Sequence, residues 1–191
     1  MKKGLFLKTI GSFALVFVLL PAAAKAQIPL SNVASATLNA TLTETLSVSL
    51  TGGSTVSFAL VPGGNATGSV PVGITTSWVL KPTRTAVKLV GYFDTTDALT
   101  DTVTSTNHIA SANVLGRVAT GTPTTFTAFT STVSGIGTPG ASLELFSEGI
   151  GGSNKNETRT DSLDLEIDLT SVPQQPAGDY TGTLRIQAIV L

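Results

Sequence analysis

The sequence predicts an all-β protein, an antiparallel sandwich of two facing sheets. Apolar and polar side chains alternate along many short segments, and this period of two is the pattern of a half-buried strand. Clusters of Gly, Pro and Asn separate these segments, as turns do. After residue 26, no long segment has apolar residues at helical spacing. A closed barrel is the alternative architecture that this pattern allows.

The first 26 residues are predicted to be a signal peptide that is removed on export. Lysines precede an apolar run over residues 9–20, and an Ala-Lys-Ala cleavage signal ends at Ala26. The run is shorter than the roughly 20 residues that a membrane-spanning helix needs. We therefore expect a mature chain of residues 27–191, a single domain that is secreted, periplasmic or at the cell surface of a bacterium.

The composition of the mature chain indicates which partners it disfavours and which interactions stabilise its fold. Residues 1–26 hold 4 of the 11 Lys and Arg residues and none of the 12 acids, which leaves 7 basic residues and a net charge of −5. An acidic surface does not favour nucleic acid or an anionic membrane as a partner. The chain has no cysteine, so its apolar core and strand ladders must hold the fold without disulfides.

The strands of the first half can be placed from the alternation. Every second residue from Ala34 to Leu50 is apolar except Glu44, and this length predicts two strands that meet near Thr43–Thr45. The clearest strand runs over Val70–Leu80, where Trp78 is the best candidate for a core anchor. Further predictions are short strands over Val56–Leu60 and Val87–Phe93 and a loop over Asp94–Asn107.

The second half continues the same pattern to the end of the chain. The predicted strands there cover Ala112–Val118, Thr125–Phe129, Leu143–Ser147, Leu163–Leu169 and Tyr180–Val190. Segments 135–140, 149–156 and 173–178 are rich in Gly, Pro or Asn and are predicted to be loops. About nine or ten short strands with turns between them are typical of an immunoglobulin-like sandwich.

The last residues carry a motif that resembles a family of secreted proteins. From Pro176 the chain reads Pro-Ala-Gly-Asp-Tyr-Thr-Gly and continues as Thr-Leu-Arg-Ile-Gln-Ala. This ending resembles the last strand of pilin-like proteins, which include chaperone–usher subunits and spore coat protein U-like domains. Gly178 occupies the place of a glycine near the end of classical pilins, whereas Val190 stands where they carry an aromatic residue.

The resemblance implies assembly by β-strand addition. Pilin-like subunits lack one strand of their sandwich, and the N-terminal extension of a neighbour fills the gap. Residues 27–42 would then be the donor strand, since they carry alternating apolar residues from Ile28 onward. The simpler interpretation makes this segment the first strand of a complete sandwich, and the sequence leaves both open.

No catalytic constellation is predicted from the sequence. His108 is the only histidine, and a serine hydrolase needs a nucleophile and an orienting acid beside such a base. Asp101 is near His108 in sequence, but no serine lies in a Gly-x-Ser-x-Gly elbow. We therefore expect a surface histidine, no catalytic residue, no cofactor and no enzyme activity.

Acidic clusters and aromatic residues are the remaining candidates for a binding site. Carboxylates could bind Ca²⁺ or act as the acid pair of a glycosidase, and aromatic rings could stack on a sugar. The favoured interpretation is a solvated outer face and ordinary core packing, without a metal site. The residues concerned are Asp94, Asp97 and Asp101, then Asp161, Asp164, Glu166 and Asp168, and the aromatics Trp78, Tyr92 and Tyr180.

The sequence thus predicts an exported, non-catalytic structural or adhesive protein of the cell surface. Its expected partners are other copies of itself or other surface subunits, joined by strand addition. The alternative is a soluble secreted sandwich that binds carbohydrate or Ca²⁺.

Overall fold

The computed structural model describes residues 32–191, and within them every regular element except one short 3-10 turn is a β-strand. The strands are β1 Thr45–Gly52, β2 Asn65–Thr67, β3 Val72–Val79, β4 Ala86–Tyr92, β5 Asp97–Asp101, β6 His108–Ala110, β7 Val114–Val118, β8 Thr127–Ala128, β9 Ser142–Gly149, β10 Asn156–Asp168, β11 Tyr180–Thr181 and β12 Arg185–Val190. The predicted antiparallel sandwich is confirmed. The predicted signal peptide and residues 27–31 of the predicted donor strand lie outside the described residues.

The larger sheet is built around β3 and β10. Its strand order is β1–β3–β10–β7–β8, and β2 pairs with β10 beyond the end of β3. Alternate residues of β3 are buried, as the sequence predicted for Val70–Leu80. Trp78 is only 1% exposed, and its indole N–H donates to the carbonyl oxygen of Asn154 at 2.8 Å. The prediction of Trp78 as a core anchor is therefore confirmed.

The opposite layer consists of two short sheets that follow one another. β4 lies between β12 and β9, while β5 lies between β11 and β6. Because β5 follows β4 and β11 precedes β12, the two sheets continue each other along the same strand direction. Side chains from both layers meet in one apolar core, which includes Ile74, Val87, Leu89, Leu145 and Leu163. Each such side chain contributes about 1.5–3 kcal/mol when it is fully buried.

The strand directions define two ends of the sandwich. Thr45 at the start of β1 and Asn156 at the start of β10 both lie opposite Val79. The N–H of Thr85 donates to the carbonyl oxygen of Leu191, so the last residue lies at the same end. We call this the Glu44 end. The other end, where β5 pairs with β11 at Asp101 and Tyr180, is the Asp101 end.

The predicted strand over residues 34–42 does not form. Residues 32–43 are exposed and belong to no strand, and the first ladder begins at Thr45. An alternating sequence alone does not form a strand, because its backbone must also hydrogen-bond to a neighbouring strand edge. The interpretation of this segment as the first strand of a complete sandwich is therefore wrong for residues 32–42.

Two further predictions need correction. The predicted loop over Asp94–Asn107 contains β5, because Ala98 and Leu99 pack against the core although most of their neighbours are polar. The predicted terminal strand is interrupted at Gly182, which separates β11 from β12. A side chain at Gly182 would collide with the carbonyl oxygen of Ala98. Glycine therefore allows this part of the chain to approach β5 closely.

Candidate functional site: a groove between two strand edges

An open groove of about 810 Å³ lies toward the Asp101 end of the sandwich. One wall is the end of β1 together with residues 53–60, and the other wall is residues 178–186. Buried apolar side chains of both layers form its floor, namely Val72, Phe93, Val114, Leu165 and Ile167. An apolar floor of this kind favours an apolar occupant.

One side of the groove is the free edge of β12. The N–H of Leu191 donates to the carbonyl oxygen of Ala86 at 2.9 Å, so the backbone groups of Leu191 point toward β4. Backbone groups alternate in direction along a strand, and β12 pairs with β4 without a register shift. The N–H and C=O of Ile186 therefore point away from β4, to the side where β12 has no hydrogen-bonded strand, although β12 also packs near β1.

The other side of the groove has a similar edge. The N–H of Ser69 donates to the carbonyl oxygen of Ser57 at 2.9 Å, and Phe58 forms an antiparallel bridge with Gly68. Because Ser57 directs its backbone groups to Ser69, Phe58 directs its own to the opposite side. The Val56, Phe58 and Leu60 side chains line the groove. The predicted strand over Val56–Leu60 is thus reduced to one bridge that borders the groove.

The two edges therefore lie on either side of an uncovered apolar floor. A strand laid along the groove could donate to and accept from backbone groups on the edges, while its alternate side chains covered the floor. No sequence signal located this acceptor site, since its walls come from residues 53–60 and 178–186, more than a hundred residues apart. Only the resemblance to pilin-like proteins implied a sandwich that lacks one strand.

The terminal motif shapes one wall of the groove. The hydroxyl of Tyr180 donates to the carbonyl oxygen of Pro176 at 2.7 Å and thereby closes the turn that leads into β11. A Cβ atom at Gly178 would lie 2.9 Å from the carboxyl carbon of Asp101, which is itself buried. Glycine at this position therefore lets the turn pack directly on the Asp101 carboxylate.

The segment before β1 carries alternating apolar side chains that could cover the apolar floor of the groove. Ala34, Ala36, Leu38, Ala40 and Leu42 alternate with Ser, Thr and Asn. Leu38 is 91% exposed and Leu42 is 83% exposed. Exposed apolar side chains that recur along one segment leave it with apolar surface that its own fold does not cover. We call residues 33–42 the extension.

Glu44 joins the extension to the sandwich. Arg84 donates to both carboxylate oxygens of Glu44, from Nε at 2.8 Å and from Nη2 at 3.1 Å. The backbone N–H of Lys81 also donates to this carboxylate, at 3.4 Å. The hydrogen bonds from Arg84 and Lys81 lower the pKa of Glu44 to about 2 although the surrounding chain partly desolvates it. The one residue that breaks the apolar stripe is therefore an anchor on the turn between β3 and β4.

His108 and Asp101, which were considered as parts of a triad, are not brought together as one. His108 Nε2 lies 3.3 Å from Asp97, while Nδ1 contacts the carbonyl oxygen of Thr106. The Asp101 carboxylate instead accepts from the backbone N–H of Val103 at 3.2 Å. Asp97 and His108 are both about half exposed, as the prediction of a surface histidine expected.

The acidic residues are separated from one another by their own partners. Asp164 pairs with Arg117 at 3.0 Å, and Asp94 pairs with Arg185 at 2.8 Å. Glu166 accepts from Asn65, whereas Asp168 accepts from the hydroxyl and N–H of Thr170, and these two bonds lower the pKa of Asp168. Within residues 32–191, no group of three His or carboxylate side chains is placed to hold a metal ion.

Asp161 faces the opposite way from the other carboxylates on β10. Its side chain is completely buried and pairs with Arg159, whose Nε lies 2.9 Å away. Arg159 also contacts Glu148 at 3.3 Å and lies over the Phe146 ring. Hydrogen bonds to Asp161 raise the pKa of Arg159. This ion pair lies on the inner face of β10, opposite Thr76 and Ile74 of β3.

The aromatic residues do not form a common stacking surface. Trp78 is buried in the core, and the Tyr180 hydroxyl is used in the turn at Pro176. The Tyr92 hydroxyl contacts the Gln187 side chain at 3.5 Å. Trp78 is therefore not available to a sugar, and only Tyr180 of the three lines the groove.

Comparison of the chain with protein-family models, with curated proteins and with solved structures gave no match. In the part of the chain that the structure describes, no helix is long and apolar enough to cross a membrane. A function for the protein is accordingly derived from the groove, its two edges and the exposed extension.

Proposed function

We propose that the protein is an exported, non-catalytic structural or adhesive subunit of a bacterial surface that assembles by β-strand addition. The groove accepts an extended segment from another copy or from a related surface subunit. The observation that carries this proposal is the combination of an apolar groove between two unpaired edges with an exposed alternating segment on the same chain.

Burial of the extension supplies the driving force. Leu38 and Leu42 are exposed on the isolated chain, and each would gain about 1.5–3 kcal/mol on full burial in an apolar groove. Backbone hydrogen bonds to the edges would add affinity that depends little on sequence. The small residues Ala34, Ala36 and Ala40 would lie against the same floor, where they require less space than leucine.

Chain reach favours the groove of a second copy over the chain's own groove. The extension joins the sandwich at Glu44, while the nearest rim of the groove is at Leu50. Residues 45–50 span about 20 Å at 3.3–3.4 Å per residue. A chain that turned back at Glu44 would use about six residues to cover this distance. Leu42 would then lie outside its own groove and Leu38 would only reach the rim, whereas the groove of a neighbour is free to accept both.

Export is supported by the sequence alone. The lysines, the apolar run and the Ala-Lys-Ala signal of residues 1–26 are typical of a secretory signal peptide. The absence of cysteine is compatible with any compartment, and the resemblance of the last strand to pilin-like proteins favours the cell surface.

The test is a complementation experiment with the mature chain, residues 27–191. The donor-deficient variant carries Leu38→Asp and Leu42→Asp, and the acceptor-deficient variant carries Leu50→Arg at a half-exposed residue of the groove rim. Light scattering should find self-association of the parent chain and monomers of each variant. A mixture of the two variants should form a one-to-one complex, because one intact groove and one intact extension remain.

The matched control is Val103→Asp. Val103 is 89% exposed, like the leucines of the extension, but it lies in the loop after β5. This variant should associate like the parent chain. A parent chain that stays monomeric at high concentration, or variants that fail to complement each other, would contradict the proposal.

The alternative of a carbohydrate- or Ca²⁺-binding module receives no support from the described residues. The carboxylates have separate hydrogen-bond partners, and Trp78 is buried.

A further inference from the structure

We infer that Glu44, held by Arg84 and Lys81, is a mechanical anchor that keeps β1 in the sandwich when the extension is pulled. The inference rests on the proposed function, because the extension comes under tension only where it is bound in the groove of another copy. Glu44 is thus a positioning residue at the junction of two subunits rather than a residue that touches the partner.

The path of the force follows from the chain order. Residues 32–43 are exposed, so tension on the extension reaches the sandwich at Glu44 and Thr45. This tension acts on β1, which resists it weakly because β1 is an edge strand that pairs with β3 alone. Without a further contact, the load would fall directly on the first rungs, beginning with the pair of Thr45 and Val79.

The ion pair supplies that contact at the point where the load enters. Arg84 holds Glu44 with two hydrogen bonds of 2.8 and 3.1 Å, which is the planar two-point geometry that restrains direction as well as distance. Arg84 lies in the turn between β3 and β4, so the contact ties β1 to the chain segment that connects both layers. The Glu44 side chain is only 18% exposed, which limits competition from water.

The sequence pattern agrees with this division of roles. Apolar residues occupy the even positions from Ala34 to Leu42 and again from Leu46 to Leu50. A carboxylate at position 44 would be unfavourable on the floor of an apolar groove. Glu44 therefore marks where the donor segment ends and where the attachment to its own sandwich begins.

The experiment is single-molecule force spectroscopy on the mature chain in two pulling geometries. Because the chain has no cysteine, paired substitutions give unique handles. Asn32→Cys with Ser105→Cys pulls on the extension against the Asp101 end, so β1 is loaded. Ser105→Cys with Ser153→Cys pulls between the two ends through exposed loops and leaves β1 out of the direct path.

Glu44→Gln and Arg84→Met are compared with Asp164→Asn as the matched control. Asp164 forms an ion pair with Arg117 at a similar distance, 3.0 Å, but far from the extension in the chain. Under a fixed force, the rate of the first unfolding event should rise roughly tenfold for the Glu44 and Arg84 variants when β1 is loaded. The rate should change little in the second geometry, and Asp164→Asn should behave like the parent in both.

Arg84→Lys provides a graded check, since it keeps the charge but loses the two-point geometry. Its rate should lie between those of the parent and Arg84→Met. Equal changes in both geometries would mean an ordinary stabilising contact, and no change in the loaded geometry would mean no anchor; either result overturns the inference. The measurement uses single chains, so it is independent of the complementation experiment, whose failure would overturn the proposed function instead.

Discussion

At the scale of single residues, the buried Thr76 hydroxyl is an unfavourable feature of the core. Its hydroxyl is the one buried side-chain polar atom without a hydrogen-bond partner among the described residues. A buried hydroxyl without a partner carries a desolvation penalty of about 1–3 kcal/mol. Thr76→Val keeps the shape of the side chain and removes this penalty, so the free energy of unfolding should rise by about 1–3 kcal/mol in chemical denaturation.

Ser111→Ala is the matched control for that measurement. Ser111 is also buried, but its hydroxyl donates to the carbonyl oxygen of Gly140 at 3.1 Å. Its removal should lower the free energy of unfolding by about 1 kcal/mol. A loss of stability in Thr76→Val would mean that the threonine hydroxyl has a partner in solution.

Glu44 gives a second prediction at the residue scale, for the dependence of stability on pH. Its pKa is lowered from 4.5 to about 2 in the folded chain. A carboxyl with a lowered pKa contributes stability that is fully present above about pH 4.5 and is lost as the pH falls through about 2. The difference in unfolding free energy between the parent and Glu44→Gln should therefore shrink from pH 5 to pH 2. A difference that stays constant over this range would contradict the role of the charge.

At the scale of secondary-structure elements, β10 is longer than the alternation predicted. The sequence places a strand at Leu163–Leu169, but the strand begins at Asn156. Its first half was missed because Arg159 and Asp161 point inward, where the period-two rule expects apolar residues. They are accommodated because they pair with each other and also bond Thr120 and Glu148, which are distant in sequence. A single sequence does not report such tertiary contacts.

The Arg159–Asp161 pair gives the prediction that belongs to this element. Asp161 is completely buried, so removal of its charge leaves Arg159 without its main partner. Breaking a fully buried ion pair costs about 3–5 kcal/mol, and the partial exposure of Arg159 and its contact with Glu148 place this pair toward the lower end. Asp161→Asn should therefore destabilise the protein strongly in thermal unfolding, whereas Asp164→Asn, at an exposed pair, should cost less than about 1 kcal/mol. Similar small effects of both substitutions would contradict the assignment of the interior pair.

Three other segments show what alternation of apolar and polar residues can predict and what it cannot. The strand predicted over Val70–Leu80 forms over Val72–Val79, because alternate residues there face the core and Trp78 is buried among apolar side chains. β5 was missed because Asp97 and Asp101 resemble loop residues, although Ala98 and Leu99 bury between them. The extension shows the reverse, an alternating segment that forms no ladder in its own chain.

At the scale of the whole molecule, the groove and the attachment point of the extension lie at different ends of the sandwich. The groove is toward the Asp101 end, and the extension joins the sandwich at the Glu44 end. A contact between two different surfaces is heterologous, and unless a ring closes it continues into a chain of subunits. The proposed assembly is therefore a head-to-tail filament, and the acceptor surface could not be predicted because distant segments build it.

The most direct measurement of this account is amide hydrogen exchange at the two groove edges. The sample is the donor-deficient variant, Leu38→Asp with Leu42→Asp, before and after addition of the acceptor-deficient Leu50→Arg chain. The amides of Ile186 and Phe58 point away from their ladder partners, beside the groove, and should exchange fast in the free variant. Binding should slow them about tenfold for each 1.4 kcal/mol of docking free energy. Gln187, whose amide already points to β4, should change little. Formation of a complex without added protection at Ile186 and Phe58 would contradict strand addition in this groove.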